Sequence, residues 1–160
     1  MHREKGFFFT GKIIHQIVLT VHSPATNRGP SLHYTNAIYM SKTAIVILSD
    51  PQIGQEEAIG RVFNALAAAY DFKNEGEEVK IIFQGTGARW PAELEKPAHP
   101  VNTLFLAVKD KVEGISAGCA AVFGADTSGY DLVTDNKVPG TPGLPSFLKL
   151  RKEGYNVLIF

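Results

Sequence analysis

The one cysteine of the chain, Cys119, lies in the run Gly114-Ile115-Ser116-Ala117-Gly118-Cys119-Ala120-Ala121-Val122-Phe123-Gly124. Small residues on both sides let the backbone turn sharply from a short strand into a helix. Such a turn sets Cys119 at the carboxyl end of a parallel strand and in the first turn of the following helix. Unpaired N–H groups there favour a thiolate. The apolar company of Ala117, Ala120 and Val122 works the other way if it shuts out water. Free cysteine is also among the most buried residue types, so Cys119 reads either as a nucleophile or as a small core hydrophobe.

Other residues with chemical potential fall in loops that follow strands. Asp50 follows the first strand, and Thr86, Arg89 and Trp90 lie in Gln84-Gly85-Thr86-Gly87-Ala88-Arg89-Trp90-Pro91 after the second. In open parallel sheets such loops converge on one crevice. Arg89 would suit a thiolate or an anionic adduct of it, with Thr86 as a donor. Trp90 reads as a stacking platform for a base or flavin, or as a lid on the core. His99, bracketed by Pro97 and Pro100, neighbours that loop and reads as a proton-transfer group or as part of a plain surface turn. The loop 136–141 completes the set.

Several chemistries lack their motif. Gly85 and Gly87 suggest a dinucleotide loop, but Trp90 stands where the third glycine is needed for close helix–sheet packing. There is no GxxxxGK and no G-x-S-x-G elbow. Asp126 and Asp135 read as cap or turn residues rather than an acid/base pair. Cys119 and His99 are two soft ligands, short of the three or four that a metal uses, so neither metal nor cofactor is called for.

The elements that must position these residues alternate regularly. Apolar runs at 43–48, 79–83, 115–118 and 155–160, with a weaker one at 130–134, read as strands. Ser49 or Asp50 caps a first helix, Pro51 fits its opening turn, Ile59, Val62, Phe63, Leu66 and Tyr70 form one face, and Ala65, Ala67, Ala68 and Ala69 allow close approach to the sheet. Residues 84–91 read as a flexible turn. Further helices are expected at about 101–111, after Cys119 as far as Gly124, and at 144–152 with Leu144, Phe147 and Leu148 buried. Crossovers of this length give a three-layer α/β/α domain with a mostly parallel five-stranded sheet.

Sixteen Lys plus Arg balance sixteen Asp plus Glu in the 160 residues. Nothing in that balance points to nucleic acid or an anionic membrane. A single cysteine permits no internal disulfide, which fits a reducing cytoplasm. Residues 1–39 differ in kind from the rest: Arg3, Lys5, Lys12 and Arg28 oppose only Glu4, and four of the five histidines are here. Its apolar stretch from Gly6 to Val21 is interrupted by Lys12, His15 and Gln16. That is too short and too polar for a membrane span, and Lys12 splits what a signal peptide needs whole. The segment reads as an N-terminal extension, disordered or a misassigned start, with the domain beginning at Met40.

From Met40 onward the chain resembles the DsrE/DsrF-like family of small sulfur-relay proteins. The residues that carry the resemblance are AIVILSD, the glycine loop after the second strand, GISAGCAAVFGAD, and the ending VPGTPGLPSFLKLRKEGYNVLIF. The resemblance implies a flavodoxin-like sheet, assembly as a trimer or hexamer, and a persulfide on Cys119 relayed to or from a partner protein. It assigns no role to Arg89, Trp90 or His99. The alternative is a binding or scaffold module with a structural cysteine, its crevice holding a small anion or nucleotide.

Overall fold

The computed structural model describes residues 41–160, so the readings for residues 1–39 and for Met40 as a start lie outside it. Five strands carry the fold: β1 (Lys42–Ile47), β2 (Glu78–Phe83), β3 (Val112–Ser116), β4 (Leu132–Val133) and β5 (Tyr155–Ile159). Five helices connect them: α1 (Gln55–Asn74), α2 (Trp90–Leu94), α3 (Asn102–Val108), α4 (Ala117–Phe123) and α5 (Phe147–Lys152). The sheet is parallel throughout, in the order β4-β3-β2-β1-β5. It is a three-layer α/β/α domain of flavodoxin-like architecture. In the common flavodoxin order the strand outside β1 is second in the chain; here it is the last.

That order assigns the layers. From β1 to β4 each strand is laid beside its predecessor in one direction, so right-handed crossovers put α1 to α4 on one face. The step from β4 to β5 runs back across the sheet and puts α5 on the other. Packing follows the pleat: Ile45, Ile47, Ile81, Phe83 and Ile115 share a cluster with Val62, Leu66, Phe105 and Val108. Ala44, Val46 and Ile82 meet Leu150 and Tyr155 on the opposite side. Burying each large apolar side chain contributes about 1.5–3 kcal/mol, so the first cluster dominates stability.

Several elements differ from the sequence reading for identifiable reasons. Helix α1 starts five residues beyond Asp50, after Gly54 in a left-handed conformation with φ 63°. Asp50 caps no helix; its Oδ1 accepts the Gln52 N–H at 3.0 Å in a turn. The inner face of α1 is Ala58, Val62, Ala65, Leu66 and Ala69, whereas Phe63 and Tyr70 are 49% and 44% exposed. Alanines let the helix axis approach the sheet closely, and the aromatics are turned outward. Likewise Phe147 and Leu148 on α5 are exposed at 40% and 52%, and Leu150 takes the buried position. Ser146 caps α5 by accepting the Lys149 N–H at 3.2 Å, which explains its start at Phe147 rather than Leu144.

The segment after β2 is ordered, not a flexible turn. Gly85–Arg89 forms one 3-10 turn that runs directly into α2, whose opening accommodates Pro91. Gly87 is the reason the turn is pinned. A Cβ at that position would stand 2.2 Å from the Ile47 carbonyl oxygen. A Gly87→Ala variant is therefore expected to lose about 1–3 kcal/mol in urea denaturation, as overpacking against rigid backbone requires. Gly60→Ala, in α1 with nothing within 4 Å, is expected to gain about 0.5–1 kcal/mol. The same unfolding midpoints moving in the opposite directions would contradict the packing described.

Candidate functional site

Level registers bring the strand ends together. Ile47 pairs with Phe83, Phe83 with Ile115, and Ser116 with Val133. The loops that begin with Leu48, Gln84, Ala117 and Thr134 therefore leave one edge of the sheet. Cys119 is the third residue of α4, and its N–H is 3.4 Å from the Ser116 Oγ that caps the helix. It is 8% exposed and packs with the larger core cluster. Position in the fold thus agrees with the sequence reading, while burial places the thiol just inside the surface.

Arg89 is engaged elsewhere than at the thiol. Its Nη1 donates to both carboxylate oxygens of Asp50 at 3.2 and 3.0 Å. Nε and Nη2 donate to the Phe123 carbonyl oxygen at 3.1 and 3.0 Å. The guanidinium carbon lies 5.8 Å from the Phe123 ring centroid. One cation thus ties the end of β1, the turn after β2 and the last turn of α4. Thr86 is similarly occupied, its hydroxyl donating to the Leu48 carbonyl at 3.1 Å.

Trp90 is 1% exposed and its indole N–H donates to Ser49 Oγ at 3.2 Å. A ring so enclosed offers no face to a base or flavin, so Trp90 closes the core and the stacking reading is corrected. His99 meets it edge-on, with centroids 5.9 Å apart and planes at 78°. His99 Nδ1 accepts the Val101 N–H at 3.2 Å, which requires that nitrogen to be unprotonated. Partial burial holds the imidazole below its ordinary value; Glu93 opposes that shift and Lys96 adds to it.

The loop that follows β4 closes back on α4. Asn136 and Leu144 exchange backbone hydrogen bonds at 2.7 and 2.9 Å, and Gly118 N–H donates to the Gly143 carbonyl at 2.7 Å. A Cβ on Gly118 would lie 3.0 Å from the Gly143 carbonyl oxygen, so the backbone of the loop approaches this glycine closely. Asp126 accepts the Ser128 N–H at 2.9 Å, and Asp135 pairs with Lys149 at 2.7 Å. Asp126 is a turn residue, as expected from sequence, whereas Asp135 is a surface ion-pair residue rather than a cap or turn residue. Sequence reasoning missed Gln84, whose buried Oε1 has no partner among the described residues. Its place at the end of β2, opening the glycine loop, was the available signal. Among the described residues no three His, Cys, Asp or Glu side chains gather as a metal site, and no helix is long and apolar enough to cross a membrane.

Comparison with known proteins adds one relative: an uncharacterized protein of Methanocaldococcus jannaschii is 34% identical over 62 residues. That match takes in 39% of this chain and 50% of the relative, so the alignment spans half of the curated protein's length. No family model and no solved structure matches the chain.

The geometry around His99 makes a pH prediction. Its folded-state value is depressed, so the unfolded chain binds the proton more readily. The stabilisation is complete above the ordinary histidine value of about 6.5 and declines as pH falls through that value towards the folded one. His99→Asn should show a smaller loss of urea midpoint than the wild type between pH 7.5 and pH 5. Parallel losses in the two proteins would mean that His99 contributes nothing to acid sensitivity.

Proposed function

We propose that the chain is a sulfur carrier whose reacting atom is Cys119 Sγ. The observation that carries this reading is the position of the only thiol. It stands in the first turn of α4, immediately after β3, at the edge of a parallel sheet where strand-end loops meet. The family resemblance set out from the sequence supports the same assignment. In the proposed step the Cys119 thiolate attacks the outer sulfur of a persulfide donor. A Sγ–S bond forms as the donor's S–S bond breaks, and the donor leaves as a thiolate. A thiolate on an acceptor protein then takes the same sulfur and returns Cys119 to its starting state. Neither an oxidant nor an acid/base triad is needed.

Burial of Cys119 to 8% exposure favours a second reading. In it the cysteine is structural and the domain is a binding or scaffold module. The carrier reading further includes a cytoplasmic protein that assembles as a homo-oligomer.

Intact mass measurement separates the two readings. Incubated with a sulfane-sulfur donor, the reduced protein is expected to gain one sulfur atom, removable by dithiothreitol, and Cys119→Ser none. An unmodified wild type together with unchanged cellular function of Cys119→Ser would establish the structural reading. Light scattering of the full chain at micromolar concentration should give a trimer or larger, and a clean monomer would remove the assembly from the proposal.

A further inference from the structure

Cys119 and Phe123 stand four residues apart and share one side of α4. The Phe123 ring faces the Arg89 guanidinium at 5.8 Å, so the side of the helix that carries the thiol is turned towards the Gly85–Arg89 turn. That turn cannot yield. Gly87 leaves no room for a Cβ against the Ile47 carbonyl, Ala88 is wholly buried, and Trp90 beside it is fixed in the core. The outer side of α4 is open by contrast, with Val122 69% exposed. If the thiol is to meet a reagent on the side of that turn, α4 is the part that must move.

The distal end of this helix is held by Arg89. Two of its N–H groups converge on the Phe123 carbonyl, and Asp50 holds the guanidinium in place from the far side through both carboxylate oxygens. We infer that the Asp50–Arg89 pair is a latch that keeps α4 closed on Cys119, and that the thiol reacts from the state in which Arg89 has released the Phe123 carbonyl. Arg89 is then a positioning residue that governs exposure of the thiol, not a charge partner of the thiolate. The pair is largely shielded, with side chains 23% and 11% exposed, so salt weakens it only partly.

The inference rests on Cys119 being the reacting group, yet its test does not use sulfur chemistry. Alkylation of the full chain by iodoacetamide, an uncharged reagent, is followed by intact mass at pH 8. Asp50→Asn and Arg89→Gln are each expected to react about tenfold faster than wild type or more, the factor that loss of charge-assisted hydrogen bonds implies. The single tryptophan, buried Trp90, serves as the control. Its emission should stay native in both variants, because a latch opens locally whereas general unfolding would expose the indole. Slower alkylation of Arg89→Gln would make Arg89 a thiolate partner and overturn the latch, as would rates equal to wild type. Should Arg89→Gln fail to fold, Arg89→Lys keeps the charge without the fork and is expected to be faster too. Raising salt should accelerate wild type but not Asp50→Asn, and identical salt responses would also overturn the latch. Fast alkylation of Asp50→Asn without any sulfur uptake would leave the latch standing and remove the carrier reading.

Discussion

Everything in the domain leans on β1. It pairs along its whole length with β2 on one side and from Lys42 to Val46 with β5 on the other, and Ala44, Ile45, Val46 and Ile47 have no exposed surface. A strand enclosed on both faces and both edges has no latitude in register. A slip by one residue would send Ile45 and Ile47 to the α5 side and Ala44 and Val46 into the larger cluster. Its carbonyl end is also the wall against which Gly87 rests, so the level of β1 sets the level of the turn that carries Arg89.

The fold was legible because its signals are local. Continuous β-branched runs separated by helical periods point to parallel strands with crossovers, and helices on both faces of the sheet bury both faces of such strands. Which face of α1 would turn inward was less legible. The alanines Ala65 and Ala69 were legible as the close-approach surface, but helical spacing also counted Phe63 and Tyr70 inward, and close packing on the sheet leaves no room for them there. The order of the segment after β2 was hidden for a related reason. Two glycines look like freedom in a sequence, whereas Gly87 is there because another strand's carbonyl lies against it.

The candidate site was legible as a list but not as a set of relationships. Asp50, Thr86, Arg89 and Cys119 do reach one edge of the sheet. Their partners, however, include backbone carbonyls of Leu48 and Phe123, and residue type carries no information about a carbonyl that another loop will use. An arginine near a cysteine suggests attraction between their charges. What decides the matter is competition: Asp50 offers a full carboxylate and Phe123 a fixed carbonyl, both in good geometry, before any thiolate forms. The fork of the guanidinium is filled by these acceptors.

Charge around Tyr155 has a different character. Lys42 pairs with Glu78 and Lys80 with Glu113 at 2.8 Å each, and both lysines sit over the Tyr155 ring at 5.4 and 5.2 Å. The Tyr155 hydroxyl donates to Glu78; burial first and that carboxylate second push its ionisation upward. These groups lie across four strands, Lys42, Glu78 and Tyr155 in mutual register and Glu113 at the irregularity between β2 and β3, and they satisfy one another without involving any loop. Such a network steadies the sheet and has no moving part. At the carboxyl edge the charged pair instead joins three segments that come from different strands, one of them a seven-residue helix with an open outer side. An interaction between loops can be released while the sheet stays intact, which is why a buried thiol behind such an interaction need not be an inert one.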